Sequence, residues 1–228
     1  MKKALLLLVV IIFVSVSSIR AQNDVICDTK WISTQPEILT YQSRSSQGDG
    51  LYQVSLYRGK DCIEAYTNII TTGFTKSVHG TMTEAMSPLR STSRIIVAGQ
   101  VLFDTECSYQ DSKVNISTLM RPYNQIMKES LSSDHLVIDH SQISFILRTL
   151  SLGMGTQYQL DSLDPRNNML VPLTIKVTGE ETIHDIDCFI VEMQSFEGNS
   201  LNWVEKVVPH RIIRVTQSET ERVTELIL

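Results

Sequence analysis

The residues best equipped for chemistry fall in two short clusters and four scattered cysteines. His184, Asp185, Asp187 and Cys188 bring an imidazole, two carboxylates and a thiol close together in sequence, the types that hold a metal or activate a cysteine nucleophile. In an extended strand, however, His184 and Cys188 stand about 13 Å apart, too far to share one ion. The segment reads more simply as a solvated turn entering a strand. His135, Asp139 and His140 form the second cluster, and just ahead of a helix they suit capping and surface solvation better than metal binding. Ser141 lacks the Gly-x-Ser-x-Gly setting and an evident base, so a hydrolase triad has no support. No catalytic set, metal site or cofactor is expected.

Cys27, Cys62, Cys107 and Cys188 give an even count. In an exported chain they are candidates for disulfides in any of three connectivities. The other reading is buried thiols packed as small hydrophobes, and Cys107 and Cys188 sit on strand-like alternations that suit it. No Cys-x-x-Cys occurs, which leaves thioredoxin-like and zinc-ribbon chemistry unsupported.

The element that must organise these groups spans Asp139 to Leu160. Ile143, Ile146, Leu147 and Leu150 fall at i, i+3, i+4 and i+7, one apolar face of a helix predicted over Ser141–Leu152. Asp139 or Ser141 caps its first turn, and Gly153 and Gly155 terminate it.

Met1 to Ala21 has the build of a secretory signal: Lys2 and Lys3, an apolar run from Ala4 to Val16, then a small residue. Cleavage is expected at Ala21/Gln22. The run is shorter than the ~20 residues that cross a bilayer, so no transmembrane span is expected after cleavage. Cys27 follows Ile26 and lies too far downstream for lipidation. Removal of Lys2, Lys3 and Arg20 leaves 17 basic against 25 acidic residues and moves the net charge from −5 to −8. Such a field repels nucleic acid and anionic membranes. A periplasmic or secreted location follows as an expectation, with residues 22–228 forming one domain.

From Ile38 onward the pattern is short segments of period two. Ile38–Gln42, Leu51–Tyr57, Cys62–Ile70, Ser77–Met86, Arg94–Ala98 and Val101–Tyr109 read as strands, broken by turn chemistry such as Arg58-Gly59-Lys60-Asp61. Val114, Ile116 and Thr118 continue the alternation, whereas Met120–Val137 is irregular and Pro122 argues against a central strand. After the helix come Leu173–Val177, a break at Gly179–Glu181, then strands around Cys188–Met193, Leu201–Val207, Arg211–Thr216 and Val223–Leu228. The sum is a mainly β chain, a curved antiparallel meander or half-barrel with one inserted helix as a lid.

Three stretches carry a family likeness. They are Arg148-Thr149-Leu150-Ser151-Leu152 with Tyr158-Gln159-Leu160, Val177–Glu181 leading to Cys188–Glu192, and Trp203 ahead of Pro209–Arg214 and the final strand. Their order resembles a family of bacterial periplasmic domains of unknown function, similar in fold to the lipoprotein carriers LolA and LolB. The likeness covers most of the mature chain and is clearest after Asp139. It implies a half-barrel whose helix covers an apolar concavity, and it brings no catalytic residues.

Two functions fit. One is a carrier or binding module for a lipid or other apolar small molecule, with Ile146, Leu150, Phe189 and Trp203 as expected cavity lining. The other is a structural or interaction module with a filled core that binds another envelope protein. An enzyme ranks third.

Overall fold

A computed structural model describes residues 27–46, 48–110, 113–133, 137–164, 168–195 and 198–228. The signal-like stretch, His135 and the turn at Asp111–Ser112 lie outside the described residues. Among the described residues, fifteen strands form one sheet in the order β8-β7-β6-β5-β4-β3-β2-β1-β15-β14-β13-β12-β11-β10-β9. The first eight are β1 (Glu37–Arg44), β2 (Gly50–Arg58), β3 (Ile63–Thr71), β4 (Phe74–Met82), β5 (Pro88–Val97), β6 (Gln100–Gln110), β7 (Lys113–Met120) and β8 (Gln125–Ser132). The rest are β9 (Val137–Asp139), β10 (Gln157–Asp164), β11 (Met169–Ile183), β12 (Ile186–Ser195), β13 (Gly198–Glu205), β14 (Ile212–Gln217) and β15 (Arg222–Leu226). Neighbours pair antiparallel through hairpins, and only β9 and β10 run parallel. A return from β15 to β1 joins the two halves.

Alternation decides which face curls inward. Tyr52, Val54 and Leu56 of β2 face the interior with Ile63, Ala65 and Thr67 of β3, as period two requires. The sheet does not close by hydrogen bonds but rolls past itself. Ile138 and Leu160 join the main core, while Val137 and Leu163 of β9 and β10 face the other way, onto Cys107, Val114 and Ile116 of β6 and β7. Polar groups fasten the overlap. The Asp139 carboxylate, only 3% exposed, accepts from Ser91 Oγ at 2.5 Å, Tyr109 Oη at 2.9 Å and the Ser141 hydroxyl and amide.

The helix α1 (Ile143–Thr149) follows a 3-10 turn at His140–Gln142, whose start Asp139 caps through the Ser141 amide. It stops at extended Leu150 rather than at the glycines, because Leu150 bridges to Cys27 and the Asp28 amide donates to the Thr149 carbonyl. It is also buried on more than one face: Phe145, Arg148 and Thr149 are as covered as Ile146 and Leu147. The sheet surrounds it, and Gly80 makes room, since a Cβ there would overlap the Gln142 amide. Buried Arg148 is paired with Glu37, donates to the Pro209 carbonyl at 3.1 Å and stacks over Trp31. These contacts stopper the end of the barrel where β1 begins.

Two strands differ from expectation. Gly179–Glu181 is no break: β11 runs through it, with a register shift between Val177 and Gly179 in place of a turn. β8 escaped the alternation reading because it is an exposed edge strand, solvated on both faces. Pro122 sits in the 3-10 turn ahead of it.

Candidate ligand site

At the end of the barrel opposite the stopper, the inner face is not filled. A cavity of about 560 Å3 lies between the finishing halves of β1, β3, β12 and β14 and the opening halves of β2, β4, β13 and β15. Its floor is the helical segment, through Ile143, Ser144, Phe145 and Leu147. Leu51, Tyr52, Ile69, Phe74, Ile95 and Met193 supply apolar wall. Polar groups interrupt it: Asn202 Nδ2 is held by the Val191 carbonyl and by Ser200. Thr67 and Ser144 line the same wall, and their buried hydroxyls have no partner among the described residues. A hollow of about 610 Å3 along outward-facing Gln42, Arg44, Val223 and Glu225 is less enclosed, and it is surface relief of the convex side.

None of the four lining residues expected from sequence borders this cavity. Ile146 and Leu150 belong to the packed core on the other side of the floor. Phe189 faces inward but packs on that core, with the Lys206 ammonium 5.2 Å from its ring centre. Trp203 follows inward-facing Asn202 and therefore points outward. It clusters with Ile183, Cys188 and Ile213, and donates from Nε1 to Glu181 at 2.7 Å. One signal for the true lining was present in β4, where Phe74, Lys76, Val78, Gly80 and Met82 share a face. A lysine on an otherwise apolar face marks unfilled space rather than core.

The clusters singled out for chemistry do not assemble. His184 and Asp185 are the two left-handed residues of the β11–β12 turn, at φ 50° and 62°, and Asp187 accepts from Thr182 Oγ1 at 2.7 Å. His140 Nδ1 lies 3.4 Å from Ser162 Oγ. Among the described residues no group of three or more His, Cys, Asp or Glu side chains is placed to hold a metal. A further polar cluster lies on the convex face, where Glu64 accepts from Tyr57, Tyr66 and His79 at 2.9, 3.0 and 3.2 Å. Burial pushes this carboxyl up, but those hydrogen bonds outweigh it and hold it below the usual glutamate value.

All four cysteines are free thiols, so the disulfide expectation is corrected. Cys107 lies within the overlap and Cys188 in the Trp203 cluster, separate apolar clusters that no bridge joins. Burial, then the Asp139 charge, pushes the Cys107 thiol up to about 12. Burial, then the Glu205 charge, raises Cys188 to about 11. A raised thiol stabilises the fold fully below its unfolded value, about 8.5, and that contribution fades as pH climbs through the folded value. Maleimide at pH 8 is expected to modify half-exposed Cys62 within minutes while Cys107 and Cys188 stay unmodified until denaturant is added, as read by peptide mass spectrometry.

The chain is thus a β-barrel-like domain: one rolled sheet, a helix within it, and an open cavity at one end. No protein-family model and no curated protein sequence matches it. Among solved structures it is similar to a β-barrel-like protein of the domain of unknown function DUF1849 from Brucella abortus, at 8% identity and a TM-score of 0.54. The match covers 86% of this chain and 97% of that one. At that identity the likeness concerns the fold alone.

Proposed function

We propose that this is an exported envelope protein that holds an apolar ligand, such as an acyl chain, in the open end of its barrel. The cavity carries the reading: about 560 Å3 of space walled largely by apolar side chains, within the ~300–1,000 Å3 of small-molecule sites. Each methylene buried there contributes about 0.8 kcal/mol, so a dozen supply about 10 kcal/mol against association costs of roughly 4–15 kcal/mol. The signal-like start of the sequence, and its resemblance to periplasmic domains of unknown function that are similar in fold to LolA and LolB, support the same reading. Native mass spectrometry of protein taken from its own envelope, followed by lipid extraction, tests it. A mass increment that releases an acyl-bearing species is expected. Protein that is uniformly ligand-free and takes up no fatty acid would overturn the proposal.

The second reading is an interaction module for another envelope protein. Its support is β8, a solvated edge strand that exposes Ile126 and follows exposed Tyr123, open to pairing with an added strand.

A further inference from the structure

We infer that the ligand of this cavity is a single-chain amphiphile with an anionic head, held by Lys76 and Arg222; this rests on the cavity reading above. The protein is acidic overall, with a net charge of −5. Yet the charged side chains on the cavity wall are Lys76, Arg148 and Arg222, with no aspartate or glutamate among the described lining residues. Arg148 already donates from Nη2 to Glu37 and to the Pro209 carbonyl. Lys76 and Arg222 are different: both are half-buried on the wall, and neither has an ion-pair or hydrogen-bond partner among the described residues.

Strand register places them. Arg222 pairs with Gln217 at the rim, where β14 and β15 turn. Lys76 pairs with Ile69 between β3 and β4, and the next inward pair toward the floor is Thr67 with Val78. Thr67, a residue 3% exposed, carries one of the unpartnered buried hydroxyls of this wall. A cation and an unsatisfied buried hydroxyl on adjacent inward positions form a polar notch, and a carboxylate or phosphate oxygen accepts from both. The apolar wall beyond them takes the chain. A neutral hydrocarbon would leave Thr67 unsatisfied and both cations half-desolvated without compensation.

The test compares heads on one chain. Palmitate, its methyl ester and a lysophosphatidate of equal chain length are titrated by calorimetry into wild type and into the Lys76→Ala/Arg222→Ala variant, whose folding is checked by thermal melting. Wild type is expected to bind the two anions roughly ten- to a hundred-fold more tightly than the ester, and that preference is expected to shrink with added salt and vanish in the variant. The palmitate and lysophosphatidate arms separate a carboxylate from a phosphate source. Equal wild-type affinity for palmitate and ester would overturn the anionic head while leaving the cavity reading intact. Absence of binding by all three would overturn both. A preference that survives in the variant would overturn the assignment to Lys76 and Arg222.

Discussion

Asp139→Ala is expected to cost about 3–5 kcal/mol in denaturant unfolding, the combined effect of the unmet donors it leaves behind. The carboxylate is nearly inaccessible and accepts from Ser91 on β5, Tyr109 on β6 and Ser141 beside it. Alanine leaves those buried donors unmet, at ~1–3 kcal/mol each, just where the two ends of the sheet overlap without a backbone ladder. Hydrogen exchange is therefore expected to quicken first in β9 and in β6–β7, with β2–β3 unaffected. Asp139→Asn keeps the size and one acceptor oxygen and is expected to lose less. A change within about 0.5 kcal/mol for alanine would show that apolar contacts alone hold the overlap.

Leu147→Ala is the second large effect, about 2–5 kcal/mol for a fully buried leucine. Leu147 is 0% exposed, lies in the main core and also borders the cavity floor. The deletion therefore removes apolar contact and opens space that the surrounding sheet cannot easily fill. Equilibrium unfolding with an unchanged denaturant slope is the readout. A loss near zero would mean that the floor is loose and the helix is no structural part of the barrel.

How far these features could be read from sequence depends on whether their cause was local. The helix was legible because Ile143, Ile146 and Leu147 repeat at helical spacing, although Asp139 caps the 3-10 turn ahead of it rather than α1, whose own first turn has no side-chain cap. Its burial on more than one face was not, since the partners of Arg148 are Glu37 and Pro209, far off in sequence. Most strands announced themselves by alternation. β8 could not, because a strand solvated on both faces has no apolar period. Trp203 was expected in the cavity, but alternation along β13, with Asn202 facing in, turns it to the outer cluster. The rolled overlap joins segments through Cys107, Val137 and Leu163, and no pattern within one segment encodes it.

The most direct measurement of the central claim is uptake of a fluorescent fatty acid by wild type and by Val78→Trp. Val78 is buried on the cavity wall, where an indole would occupy the space proposed for the chain. Saturable binding by wild type, lost in a folded Val78→Trp variant, is the result this account predicts. Equal binding by both proteins would place any ligand elsewhere on the molecule and contradict it.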